Sequence, residues 1–210
     1  MHYTENEVLA MDRIYRLNLI NSITGIKPGN LVGTKSKDGK SNLAIISSVV
    51  HLGSNPALIG FVMRPQQAVQ HHTYANILET KAYTINHIPN HLTEQAHYTS
   101  AKFEKTISEF DACGFAEEYT PEFAAPFVGE SEIKVAMRFV EEVPITANNT
   151  TLIIGAIEHV IVSDTALSDD GSINLEIANS VGISGLDSYY KLNKIAAYPY
   201  ARLDTLPKLG

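Results

Sequence analysis

The sequence predicts a mainly β fold with short helices, organised as a barrel with helical insertions. Three observations carry that expectation. Strand-length apolar segments, many of them alternating, recur along the 210 residues. Asp-Gly and Asn-Pro pairs punctuate these segments, which is the turn chemistry of antiparallel strands. Helical periodicity appears only in brief stretches, and the lack of long regular βα repeats excludes a doubly wound parallel sheet.

Taken in order, residues 1–29 mix polar and apolar positions and close on Lys27-Pro28-Gly29, which reads as a turn. They form an expected N-terminal extension, an arm over a partner subunit, on a single domain of residues 1–210. The first strand is expected at 31–34, followed by a hairpin turn at Lys37-Asp38-Gly39-Lys40 and one returning strand at 41–50. After Asn55-Pro56 comes a more uniformly apolar strand at 57–63. The period then changes, and Val69, Ala75, Ile77 and Leu78 share much of one face of a helix expected at 69–79. Residues 82–88 return to strand alternation and stop at Pro89. A polar helix at 91–101 and a short one at 108–112 follow. In the second half, Ile133, Val135, Met137 and Phe139 alternate with Lys134, Ala136, Arg138 and Val140, the pattern of a half-buried strand. The segment 151–163 is a longer strand in which Gly155 marks a bulge or bend, and Asp169-Asp170-Gly171 is a further turn. At least six strands and two or three short helices are thus expected.

With 44% hydrophobic and 19% charged residues, the chain has the balance of a soluble globular protein. A net charge of −7 argues against a broad nucleic-acid footprint, so the few cations are read locally as anion contacts. A lone cysteine, Cys113, excludes an internal disulfide and a multi-cysteine metal site, and is expected to be a small buried residue. The start, MHYTENEVLAMDR, lacks the basic and apolar regions of a signal peptide, and no segment has the run of about 18 apolar residues a membrane span needs. A cytoplasmic protein with no membrane partner is expected.

Most catalytic constellations are missing. His87 and His91 have helical zinc spacing, but Pro89 lies between them, and the adjacent pair His71-His72 diverges on any regular element, so no metal is expected. Neither a Gly-x-Ser-x-Gly elbow, a Walker A loop nor a Gly-x-Gly-x-x-Gly fingerprint occurs, and Gly182-Ile183-Ser184-Gly185 is too short a signal for a nucleophile. No catalytic side chain is assigned. What remains is an anion site: Arg64 ends an apolar strand, and Thr73 and Asn76 stand at the start of the next helix, whose N–H groups favour phosphate. A surface arginine and a helix-capping threonine read the same pattern equally well.

The order of several motifs is similar to that of the flavin reductase-like domain family. They are Gly39-Lys40-Ser41-Asn42-Leu43-Ala44, Ser47-Ser48, Pro56 before an apolar strand, Thr73-x-x-Asn76-Ile77, Thr84-Ile85-Asn86 and Ser108-Glu109-Phe110-Asp111 before Gly114. Late in the chain, Ile154-Gly155-Ala156-Ile157, the loop Gly185-Leu186-Asp187-Ser188-Tyr189-Tyr190 and Tyr200-Ala201-Arg202 extend the likeness over about residues 18–203. The resemblance implies an FMN-binding split β-barrel and a homodimer with FMN at or near the subunit interface. By position, it implies that Asn42, Leu43 and Ala44 line the flavin, that Ser47 and Ser48 reach the ribityl chain or phosphate, and that Arg64, His72 and Thr73 hold the phosphate. It further implies NAD(P)H-dependent flavin reduction, with NADH or NADPH as co-substrate. One departure stands out: Thr150 occupies the position where many NADH-using members carry a His, although His159 lies further along the same strand. A non-catalytic flavin carrier or electron-transfer partner protein is the rival reading, and an oxidase of the pyridoxamine-phosphate type a third.

Overall fold

The computed structural model describes residues 1–65 and 72–203. The expected helix start at Val69, and His71, lie outside the described residues. Five α-helices are described: α1 (Glu5–Ala10), α2 (Arg13–Ser22), α3 (His72–Thr80), α4 (Thr93–Tyr98) and α5 (Glu109–Cys113). The strands are β1 (Lys27–Pro28), β2 (Asn30–Lys35), β3 (Ser41–Ile46), β4 (Val50–Ser54), β5 (Ala57–Met63), β6 (Ala82–His87), β7 (Glu117–Thr120), β8 (Phe123–Val128), β9 (Ile133–Ile145), β10 (Thr150–Val162), β11 (Val181–Ser184) and β12 (Ser188–Lys191). Seven of them form one antiparallel sheet in the order β3-β2-β6-β9-β10-β5-β4; β1, β11 and β12 make a small sheet, and β7 pairs with β8.

The expected single strand over 41–50 is in fact two. Its first part is β3, at one edge of the large sheet, and its continuation is β4, at the opposite edge. Residues 47–49 make the crossing. Ser48 explains how the chain tolerates it: its hydroxyl donates to the Val62 carbonyl at 3.1 Å and accepts from the Val62 N–H at 3.0 Å. A side chain thereby stands in for a strand partner on β5, and the two edges are drawn together over one core.

That core comes from one face of the sheet, where Val32, Phe61, Tyr83, Ile85, Met137 and Ile153 converge with Ile77 of α3. On the opposite face Leu31 and Leu43 pack with Phe110 of α5, Val128 of β8 and Ile183 of β11. With both faces covered, β2 is buried almost throughout rather than alternating. The expected alternation of β9 fails for the same reason. Ala136 is buried against Phe123, Ala125 and Phe127, and Lys134 reaches Glu118 at 2.7 Å, because β7 and β8, which no sequence pattern announced, cover that face.

Gly155 does sit at a register shift between β9 and β10. A Cβ there would lie 2.2 Å from the Tyr83 hydroxyl, so the position must stay bare for that ring to pack. Lys27-Pro28 proves to be strand rather than turn, pairing with Ile183 and Gly182. Gly182 permits this approach, since a Cβ would meet the Ile26 side chain at 2.3 Å. No helix of the described residues is long and apolar enough to cross a membrane.

Candidate functional site

The candidate residues gather in two groups. At the first, β2 and β3 present Thr34 and Asn42 directly opposite one another in register. The Asn42 amide donates to Thr73 Oγ1 at 3.0 Å, and the Asn76 amide donates to Thr34 Oγ1 at 3.1 Å. All four side chains are buried. Residues three apart on one helix turn thus dock on residues opposite one another on two strands, which seats α3 on β2 and β3. Asn76, expected to help hold an anion, gives one amide N–H to this set. His72 starts α3 beside it, half-buried.

The second group lies where β5 ends and the chain crosses to β4. Ser47 and Ser48 precede β4, and Arg64 follows Met63, exposed. Ser48 gives its hydroxyl proton to Val62, whereas Thr73 accepts from Asn42 and donates to no partner among the described residues. Met63 pairs with Thr151, which puts Thr150 level with Arg64. Thr150 therefore shares the sheet end with the arginine despite their separation in sequence. Its hydroxyl donates to Asn148 Oδ1 at 2.7 Å. His159 packs its ring edge-on against Phe123, as a packed residue of the strand.

Between the groups runs the edge strand β3, whose outward N–H groups have no strand to pair with. Side chains supply the partners: Glu109 Oε2 accepts from the Leu43 N–H at 3.0 Å, and Thr99 Oγ1 from the Ile45 N–H at 3.0 Å. Leu43 consequently buries its side chain in the core and commits its N–H, while Ala44 is half-buried on the other face. Burial pushes the Glu109 carboxyl above the usual range, opposed by the Leu43 N–H and by nearby His72. Sequence reasoning did not assign Glu109 or Thr99 a role. A buried glutamate beside Phe110, in a segment otherwise apolar enough to face the core, was the available signal for the first.

Elsewhere His87 and His97 have ordinary structural partners. Burial holds His87 down to about 4, and its Nδ1 lies 3.0 Å from the Ser180 hydroxyl. Among the described residues no group of three or more His, Cys, Asp or Glu side chains is placed to hold a metal ion. Cys113 is buried in the core with Phe110, and burial raises its thiol above the usual range.

Comparison with known proteins connects this geometry to relatives. The flavin reductase like domain matches residues 26–175. An uncharacterised protein of Aquifex aeolicus is 27% identical over 182 residues, 86% of this chain and 90% of its own. A Shewanella frigidimarina protein with a split barrel domain, described as a candidate flavin reductase, superposes with a TM-score of 0.92 at 45% identity, covering 96% of this chain and 100% of that one. Nitrilotriacetate monooxygenase component B of Bacillus cereus shares the fold at a TM-score of 0.82 and 18% identity, over 94% of this chain and 98% of its own. The mainly antiparallel sheet closed by the 47–49 crossing is the split barrel of these relatives, and the chain belongs to the flavin reductase like domain family.

Proposed function

We propose that the protein binds FMN and is an NAD(P)H-dependent flavin reductase. The observation that carries this reading is the division of labour among polar groups at the barrel end. Arg64 brings a guanidinium to the end of β5, and the Thr73 hydroxyl of α3 donates to no partner among the described residues, which together make the donor set a phosphate monoester requires. These residues fit the group. Arg64, His72, Thr73 and Ser47 would hold the phosphate; Asn42, Leu43 and Ala44 would form the wall beside the ring, with Leu43 acting through its backbone carbonyl. Ser48, having given its proton to Val62, would shape the crossing rather than donate to the ligand. Bound flavin supplies the hydride-accepting chemistry, so the protein needs to contribute placement and exclusion of water rather than a general acid or base.

A homodimer belongs to the same reading. Helix α2 carries Ile14, Tyr15 and Ile20 yet buries none of its residues. Residues 192–203 form no regular sheet or α-helix and expose Ile195 at 98% and Tyr198 at 88%. Apolar arms of this kind are stabilised by a second copy over which they can lie.

The rival, a flavin carrier or electron-transfer partner, is favoured by one observation: at position 150 a threonine turns its hydroxyl to Asn148 where many NADH-using relatives of the resemblance carry a His. Anaerobic stopped-flow mixing of the flavin-loaded protein with NADH and NADPH separates the two. Bleaching of the flavin absorbance is the expected result, and flavin left oxidised by both nucleotides would establish the carrier instead. Identification of the released flavin by chromatography checks FMN against FAD.

A further inference from the structure

Lys27 opens β1, half-buried, with its backbone paired to Ile183. Its ammonium donates to the Asn21 carbonyl at 2.9 Å and to the Gly185 carbonyl at 2.8 Å. An ammonium carries three N–H donors, and the third meets no partner among the described residues. The two bonds tie the last turn of α2 to the turn between β11 and β12. They also fix the position of the charge.

Register puts that charge at the barrel end that carries Arg64. Asn30 pairs with Ile46, so β1 lies at the end of the β2–β3 ladder from which the 47–49 crossing departs. Ser48 of the crossing is bonded to Val62, just ahead of Arg64 in the chain. Burial, and after it the charge of the Arg64 guanidinium, hold the Lys27 ammonium below its ordinary pKa. Neither cation has a carboxylate partner among the described residues, where the ion pairs are Lys134–Glu118 and Arg138–Glu158. A tether at a helix end needs only a donor for its carbonyls and gains nothing from a like charge within reach. In a chain of net charge −7, two cations left without a carboxylate at one barrel end are placed for an anion common to both.

We propose that Lys27 is a second cationic ligand of the flavin phosphate, sharing that anion with Arg64. A phosphate monoester is close to a dianion at neutral pH, so one guanidinium leaves part of its charge unmatched, and Lys27 supplies the rest. The assignment rests on the FMN reading and adds to it a residue from the strand before the barrel's first hairpin. Because the same ammonium holds Asn21 and Gly185, it would also join the bound phosphate to the seating of α2.

The test is titration of the full chain with FMN and with riboflavin, which differ by the phosphate alone, for the native protein and for Lys27→Gln. Glutamine removes the charge and keeps an amide donor for the carbonyls. No residue of α2 is buried, so a weaker tie to that helix leaves the core intact, and Lys27→Met is the second uncharged variant. FMN affinity should fall about tenfold or more, the loss of one charge-assisted contact, while riboflavin affinity stays unchanged. Unchanged FMN affinity would overturn the proposal. So would a riboflavin loss as large as the FMN loss, which would make Lys27 a tether of α2 only. Failure of the FMN reading looks different, because the native chain then binds neither flavin. Inorganic phosphate, titrated into both proteins, decides the pair of cations in that case. Phosphate binding lost with the Lys27 charge keeps the shared anion site, and equal or absent binding removes it.

Discussion

Replacing Thr73 by Val keeps the outline of the side chain and removes the acceptor that the Asn42 amide has among the described residues. The two residues are 5% and 6% exposed and lie 3.0 Å apart, so water has little access to take the lost place. Leaving a buried donor unsatisfied costs about 1–3 kcal/mol. For a protein of this size each kcal/mol lowers the melting temperature by about 2–4 °C, so thermal unfolding should come down by roughly 2–12 °C. Asn42→Ala breaks the same bond from the other side. The double variant should therefore lose less than the sum of the single losses, with a coupling of about 0.5–3 kcal/mol. Urea unfolding of the apoprotein measures this cycle, and FMN titration at a temperature where every variant is folded measures the second role. If the Thr73 hydroxyl donates to phosphate, Thr73→Val weakens FMN more than Asn42→Ala does. Additive losses would refute the seating of α3 through this bond, and unchanged FMN affinity would remove Thr73 from the phosphate set.

Arg64→Ala should weaken FMN about tenfold to a hundredfold, the loss of one charge-assisted contact of about 1.5–3 kcal/mol, and an unchanged titration removes Arg64 from the site. His87 is held down to about 4 from an ordinary 6.5, so the folded state resists protonation; its stability contribution is full above pH 6.5 and is lost as pH falls through 4, about 3 kcal/mol in all. Urea unfolding at neutral and acid pH should show that loss in the native chain and less of it in His87→Gln, and equal losses would contradict it. Sedimentation should give twice the chain mass at micromolar concentration, a purely monomeric flavin-loaded species being the adverse result. Flavin reduction by NADH should be slow and accelerated by Thr150→His, which a fast native reaction unaltered by the substitution would disprove. Because Thr150 lies level with Arg64, FMN affinity must be measured in that variant too.

Much of the fold was legible because antiparallel strands leave local marks. The Asp38-Gly39 turn, the β5 run and the Gly155 bulge can each be read from a few neighbouring residues, and each is found where expected. What escaped depends on contacts distant in sequence. The break between Ile46 and Val50 cannot be seen in a continuous stretch of Ile, Ser and Val, since the Ser48 bond to Val62 and the opposite-edge placement of β3 and β4 decide it. Lys134 reads as solvent-facing until β7 supplies Glu118 to meet it. The four-residue strands β7, β11 and β12 lack the length for a clear pattern, β8 is interrupted in sequence by Pro126, and no residue of α1 or α2 is buried.

The candidate site was legible as a set of residues but not as a division of roles, and the reason is physical. A sequence shows which groups can donate or accept, whereas the geometry decides which of those capacities are already used. Asn42, Thr73, Ser48 and Asn76 all read as ligand contacts. In the folded chain one N–H of each amide, Asn42 and Asn76, is engaged in seating α3, and the proton of Ser48 in joining the crossing to β5. Glu109 shows the converse: a carboxylate with no expected part holds the Leu43 N–H at the edge of the strand assigned to the flavin wall. Its burial raises the folded-state pKa, so its stabilising contribution is full below the ordinary carboxylate range and is lost as pH rises through the folded value. The Leu43 N–H opposes that loss by favouring the charged form. Glu109→Gln removes the titration and keeps a side-chain oxygen for the N–H. It should therefore flatten the fall in stability above the ordinary carboxylate range while leaving β3 in place. Hydrogen exchange at the Leu43 amide reports the bond separately from the charge. Fast exchange of the Leu43 amide in the native chain, with a pH profile of stability that the glutamine variant leaves unaltered, would show that this carboxylate neither caps the edge nor titrates.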